Sequence, residues 1–323
     1  MAILAVDVGY SHVKAVSAAG KRALIPSVVS PARDLALADL SRNGVGHQVE
    51  IQNLEGEVKR YFIGELALRE GGQAATFTME REKHLHPNHD VLILAAAQLL
   101  GATAGATLVA GLPVAYYRSQ REELARHMMG LHAEVSVDGS PPARISFGKV
   151  VVYPQAAGAL LIALDLPESG LVCLVDVGFK TTDYVTAEIR DGLARPVSSL
   201  CGSVETGVYY VEAIVANAYQ ARTGAPANPA RLPEILRSGR AVFRGREVDL
   251  SREVADARQA VAQAIADRVL ADLGVRADEV ARFYLAGGGA EALPELEKML
   301  PGAVKLPEAQ WANALGFLKA VGC

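Results

Sequence analysis

Two short apolar runs, Ala2 to Val6 and Leu171 to Val175, each lead into the same sequence: Val6-Asp7-Val8-Gly9 and Val175-Asp176-Val177-Gly178. Polar loops follow, and then further strand-like runs, Val13 to Ser17 and Tyr184 to Ile189. β-branched runs bounded by Gly- and Asp-rich loops predict strand, turn and antiparallel strand in both places. A single recurrence at half-chain distance implies two related domains. A solenoid would repeat at a far shorter period.

Elsewhere the pattern alternates between strands and helices, which implies an α/β fold. Tyr61 to Ala67 predicts a strand entering a helix. Arg118 to Gly130 predicts a helix ended by its glycine, and Val135 to Val152 predicts strands on both sides of the Gly139 to Pro142 turn. Gln155 to Leu164 reads as a helix of small residues. Val204 to Ala221 reads as a helix capped by Ser203, and Gly224 to Pro233 as a surface loop. Ser251 to Leu273 carries Val254, Val261, Ile265, Val269 and Leu273 on one stripe, with Gly274 placed to end the helix. Arg282 to Ala286 predicts a strand, followed by Gly287, Gly288 and Gly289, a helix to Leu300, and a last helix from Trp311 to Val321.

Length and composition narrow the class. A chain of 323 residues suits two domains. Hydrophobic residues at 50% and charged residues at 21% are ordinary for a globular protein. A net charge of -4 shows no basic excess, so no nucleic acid partner is expected. Three scattered cysteines, Cys173, Cys201 and Cys323, make neither a disulfide framework nor a zinc site, and a reducing cytoplasm is expected. Val91 to Gly111 carries no charge and is long enough to span a bilayer. Gln98, Gly101, Gly105 and Pro113 favour instead a buried helix (Leu92 to Leu100), a turn and a strand (Thr107 to Ala110), so no membrane contact is expected.

The candidate chemistry sits at the repeat. In the first loop, Asp7 can hold magnesium through water, and Gly9 lets backbone amides approach phosphate oxygens. Ser11 adds a hydroxyl, and Lys14 can reach a phosphate as a point charge. In the second loop, Asp176, Gly178, Thr181, Thr182 and Asp183 supply matching parts. Either loop alone also reads as a plain hairpin turn; two copies of one carboxylate-glycine tip favour a shared triphosphate. Gly287, Gly288 and Gly289 lie between a strand and a helix N-terminus, which favours anions. Walker and dinucleotide glycine fingerprints are absent. His84, His86 and His89 suit a polar loop better than a metal site, because Pro87 interrupts them.

The order of these elements resembles the actin, sugar kinase and heat-shock chaperone superfamily. The details are similar to ParM-like and archaeal actin-like proteins: Tyr61 to Ala67, Gly111-Leu112-Pro113, Tyr153 to Gly158, Gly202 to Gly207 and Ala312 to Phe317. The resemblance implies two actin-like (ribonuclease H-like) domains with mixed sheets flanked by helices and a nucleotide cleft. The first is residues 1–157 plus 306–323, and the second is residues 158–305. It implies an ATPase using Mg²⁺ with ATP or GTP that polymerises head to tail, with an adaptor or cargo protein as a further partner, and that serves plasmid segregation or cell organisation.

By position, the resemblance makes Asp7 and Asp176 flank the metal and Gln155 orient the attacking water, a geometric task suited to phosphoryl transfer. Gly9, Tyr10, Ser11, His12, Lys14, Gly178, Lys180, Thr181, Thr182, Asp183 and Gly202 would surround the phosphates and Glu205 the sugar. Gly287 to Gly289 would pack along base and ribose. Tyr10 and the Phe179-Lys180 pair depart from the small polar residues usual there. The alternatives are a non-polymerising actin-like scaffold and a small-molecule kinase of the same superfamily; the kinase is disfavoured by the lack of a cysteine cluster.

Overall fold

In the computed structural model, which describes residues 2–35 and 46–322, the chain divides into two units, Met1–Gly158 with Asn313–Cys323, and Ala159–Ala312. Cys323 lies outside the described residues.

In the first unit, β1 (Ile3–Val8) pairs antiparallel with β2 (His12–Ser17), which pairs with β3 (Arg22–Pro26). The sheet continues through β4 (Val28–Pro31), β5 (His47–Gln52), β6 (Val58–Ile63), β7 (Thr76–Phe77), β8 (Ala106–Leu112), β9 (His132–Val137) and β10 (Ala143–Pro154). Its order is β3-β2-β1-β8-β10-β9-β5-β6-β4-β7. β1 and β8 lie parallel at the centre and are buried on both faces, so they read as continuous apolar runs rather than alternating ones. β10 is long enough to serve both halves of this sheet. Its register shifts between Phe147 and Lys149, at Gly148, where a Cβ would press on the Gly105 carbonyl oxygen at 2.9 Å.

The helix Pro87–Leu100 covers the sheet. Pro87 occupies the first turn, where no intrahelical amide bond is lost, and His86 Nδ1 accepts from the Asn88 amide at 3.1 Å. Gly101 ends the helix in the left-handed conformation at φ 76°. The uncharged stretch is thus a buried helix and a strand, and no described helix is long and apolar enough to cross a membrane. The helix after Pro113 is longer than expected, Val114–Gly130, because Pro113 itself stands at its N-cap.

In the second unit, β11 (Gly170–Val177) pairs antiparallel with β12 (Thr182–Arg190). β13 (Leu193–Pro196) and β14 (Gly202–Val204) also pair with β12. β15 (Arg240–Phe243) and β16 (Arg246–Asp249) form a separate hairpin. β17 (Val280–Ala286) runs parallel to β11, with β18 (Val304–Lys305) beyond it. The helices Val208–Thr223 and Ser251–Leu273 close one core around Val175, Val211, Ile265 and Phe283.

Four expectations are corrected. Ser203 does not cap a helix: it lies in β14 opposite Asp183, and the helix begins at Val208 after Gly207. The expected helix from Gln155 shrinks to Ala157–Leu160. Ala156 is left-handed at φ 62°, a conformation that a right-handed helix starting at Gln155 excludes. The expected helix to Leu300 splits into Gly288–Ala292 and Leu296–Met299, as the missing amide of Pro294 requires. The loop from Gly224 is also shorter, since a helix runs over Leu232–Ser238 with Pro233 in its first turn.

Candidate functional site

The tip of the β1–β2 hairpin closes through the Gly9 amide, which donates to the His12 carbonyl at 3.1 Å. Gly9 has no room for a side chain: a Cβ would sit 2.8 Å from both the His12 carbonyl oxygen and Lys14 Nζ. Asp7 is the last residue but one of β1 and is only 4% exposed. Lys14, its cross-strand partner, donates to Asp7 Oδ2 at 3.2 Å, and Gln155 Nε2 donates to Asp7 Oδ1 at 2.7 Å. Both carboxylate oxygens of a buried group are therefore satisfied, which its burial demands. Gln155 itself is set at the end of β10, with its amide donating to the Leu112 carbonyl at 2.8 Å.

Ser11 and His12 also meet, with Ser11 Oγ 2.7 Å from His12 Nδ1. Burial, aided by the nearby charge of Lys14, pushes the His12 imidazole down to about 4, so it is neutral at pH 7. Tyr10 is buried, and its hydroxyl donates to the Glu80 carbonyl at 3.4 Å. Ser27, which the sequence reading passed over, braces this tip. Its hydroxyl donates to the Gly9 carbonyl at 2.7 Å and its amide to the Ser11 carbonyl at 2.8 Å. Nothing local marks Ser27 for this role, since the contact depends on how β3 returns beside β2.

The β11–β12 hairpin has the same construction. The Gly178 amide donates to the Thr181 carbonyl at 2.9 Å, and a Cβ on Gly178 would come within 2.7 Å of that oxygen. Asp176, 7% exposed, stands next to last in β11 as Asp7 does in β1. Its cross-strand partner differs: Asp183 stands where the first hairpin has Lys14. Asp183 accepts a short hydrogen bond from the Ser203 hydroxyl, and buried Thr182 donates from Oγ1 to the Thr206 carbonyl at 2.8 Å. Lys180 is half-buried at the tip, and Glu205 is exposed between β14 and the next helix. Gly202 passes over the Tyr184 ring, whose hydroxyl oxygen a Cβ would meet at 2.5 Å.

The first amides of the helix Val208–Thr223 are used by this hairpin tip. Val208 donates to the Gly178 carbonyl at 3.3 Å, and Tyr209 to the Phe179 carbonyl at 2.8 Å. These are amides that a helix start leaves without intrahelical partners. Gly207 permits the approach, because a Cβ there would lie 2.6 Å from both carbonyl oxygens. The glycine triplet also packs on the end of β11. Gly287, at φ 81°, would drive a Cβ into the Val177 carbonyl oxygen and an Asp176 carboxylate oxygen, and Gly289 would drive one into the Val177 side chain. Gly288 has open space, with nothing nearer than 3.8 Å. Within the second unit, Asp176, Gly178, Thr181, Thr182, Asp183, Gly202, Gly287 and Gly289 thus gather around the end of one strand. Within the first, Asp7, Gly9, Ser11, His12, Lys14 and Gln155 do the same.

The histidines at 84, 86 and 89 do not form the polar loop expected of them. His84 and His89 are buried, and His86 caps a helix. Among the described residues no group of three or more His, Cys, Asp or Glu side chains is arranged to hold a metal ion. Cys173 and Cys201 are both free thiols, and burial pushes the Cys173 thiol up to about 12.

Residues 5–158 match the family model for the N-terminal domain of actin-like proteins, and residues 174–298 match that for the C-terminal domain of the archaeal MreB-like actin homologue. Comparison of the sequence with curated proteins gives no match. Among solved structures, a ParM filament from Clostridium botulinum superposes with a TM-score of 0.90 at 24% identity, covering 99% of this chain and 98% of that one. The archaeal actin homologue Ta0583 superposes with a TM-score of 0.84 at 22% identity, over 99% of both chains. Bacillus thuringiensis ParM gives 0.68 at 14% identity, over 99% of this chain and 98% of that one. With an actin-like N-terminal domain in its first half and an archaeal MreB-like C-terminal domain in its second, the chain belongs to the actin-like proteins.

Proposed function

We propose that this protein binds and hydrolyses a magnesium nucleoside triphosphate, ATP or GTP, and that it assembles head to tail into filaments. The observation that carries the reading is the duplicated tip: a buried aspartate stands next to last in a strand, and a glycine two residues on closes the turn with its amide. Glycine at a strand-end turn lets backbone approach phosphate oxygens closely.

The residues present fit the nucleotide. Gly9 and Gly178 let the two tips close tightly on themselves, and Gly287 and Gly289 let the glycine triplet pack on the end of β11 beside Asp176. Lys14 supplies a positive charge at the first tip, and Gln155, bonded to Asp7, would orient a water, as phosphoryl transfer by geometry and electrostatics requires. At the second tip, Asp176 and Asp183 stand cross-strand on one face, an arrangement that like-charge repulsion disfavours and a cation relieves. Asp7 and Asp176 would hold magnesium through its waters, and the ion would supply charge neutralisation on the phosphates. Glu205, exposed before the helix Val208–Thr223, is assigned to the sugar.

Relatives support the same reading. Ta0583 has been crystallised with ADP, Bacillus thuringiensis ParM is described with ATP, and the Clostridium botulinum ParM forms a 15-stranded filament. A filament requires a heterologous interface that does not close on itself, with an adaptor or cargo protein as a further partner. Free thiols at Cys173 and Cys201 fit a cytoplasmic location. Plasmid segregation or cell organisation is the corresponding cellular role.

Pelleting and electron microscopy with ATP, with ADP and without nucleotide, alongside phosphate release, test the proposal. Filaments and phosphate release in ATP alone are expected. A protein that releases no phosphate and stays in the supernatant in all three conditions overturns it.

A further inference from the structure

The chain enters and leaves Gln155 under unusual constraint. Ala156 follows it in the left-handed conformation, φ 62°, which side chains other than glycine rarely adopt. Ala156 is fully buried, so its amide cannot turn to water for a partner. The amide instead donates to Asn313 Oδ1 at 3.0 Å, and Asn313 is itself buried. Only the oxygen of that side-chain amide can accept, which fixes how Asn313 is turned.

Phe317, one helical turn further along the helix Ala312–Ala320, completes the support. Its ring is fully buried against Gly111 and Gly158, where Cβ atoms would meet ring carbons at 2.5 and 2.6 Å. A Cβ on Gly111 would also lie 3.3 Å from Gln155 Cγ. The C-terminal helix therefore holds the backbone on one side of Gln155, while the Leu112 carbonyl holds its own amide on the other.

We infer that Asn313 is a positioning residue for Gln155. By fixing the Ala156 peptide it sets the direction from which the Gln155 side chain reaches Asp7. This rests on the reading of Gln155 as the group that orients the attacking water. Asn313 touches no reacting atom in this scheme; it acts through the backbone next to the residue that does.

The test compares Asn313→Ala, which loses the acceptor, with Asn313→Asp, which keeps an oxygen in place. The expected effect of Asn313→Ala is a fall of about 10- to 100-fold in kcat for phosphate release with KM for magnesium ATP changed less than about threefold, since misplacement of a water-orienting group costs rate rather than ground-state binding. Asn313→Asp should recover most of kcat. In nucleotide-free protein labelled with ¹⁵N-glutamine, the side-chain amide resonance of Gln155, identified by its loss in Gln155→Ala, should move in Asn313→Ala and return in Asn313→Asp. Should Asn313→Ala fail to fold, Asn313→Ser, whose hydroxyl is too short to reach the amide, is read in the same way.

An unmoved resonance, a joint loss of nucleotide binding and rate, or an aspartate variant no better than the alanine variant overturns the inference. Wild-type protein without hydrolysis would sink the functional reading instead, and the resonance comparison would still decide whether Asn313 orients Gln155.

Discussion

Gln155 and Asp7, 148 residues apart in sequence, share a buried hydrogen bond of 2.7 Å. Lys14 takes the other carboxylate oxygen. Replacing Gln155 by alanine leaves a buried acceptor short of a donor, and the expected cost is ~1–3 kcal/mol of stability. Gln155→Glu sets a second carboxylate against Asp7. Its deficit should be larger at pH 7.5 than at pH 5, where one carboxyl can carry a proton and restore the donor. Thermal melts of wild type and both variants at the two pH values check this.

The glycine triplet offers an internal control. Gly287→Ala forces a side chain into the Val177 carbonyl and the Asp176 carboxylate at a positive φ, and should cost more than ~2 kcal/mol. Gly288→Ala meets nothing within 3.8 Å at the first position of a helix and should be neutral or stabilising by up to ~1 kcal/mol. Urea denaturation of the two single variants separates them. Equal losses would mean that the turn does not pack on β11 as described.

Two half-buried groups give opposite pH slopes. His12 is pushed down to about 4 by burial and then by Lys14, from an ordinary 6.5. Between these values the unfolded chain takes up the proton first, so stability falls as pH drops from 6.5 towards 4. Glu212 is pushed up from 4.5 to about 7 by burial. The unfolded chain then releases its proton first, so stability falls as pH rises from 4.5 through 7. His12→Asn should flatten the acid side. Glu212→Gln should raise stability above pH 7 by ~1–3 kcal/mol. Denaturant midpoints at pH 4.5, 6 and 8 read both effects.

What was legible in the sequence follows from how locally each feature is determined. The two hairpins were visible because strand, glycine turn and returning strand lie within a few residues of one another, and the repeat of Val-Asp-Val-Gly tied them together. The helix Ser251–Leu273 was visible for the same reason, through its apolar stripe and terminal glycine. Ser203 misled because its polar side chain ahead of an apolar run looks like a helix cap. Pairing of β14 with β12 decides otherwise, and the hydroxyl goes to Asp183 across the sheet. The contact between Ala156 and Asn313 spans 157 residues, and no local pattern encodes a left-handed alanine. The brace from Ser27 to Gly9 was equally hidden, because it depends on sheet order rather than on the residues around Ser27.

The central claim is that the aspartate of each tip serves nucleotide binding, and equilibrium binding of magnesium ATP to wild type, Asp7→Ala and Asp176→Ala tests it most directly. Binding to the wild type is predicted, with affinity lowered by about 10- to 100-fold in either variant, as expected when a carboxylate that would hold the waters of the magnesium is removed. Full-affinity binding in a folded variant lacking either carboxylate would contradict it.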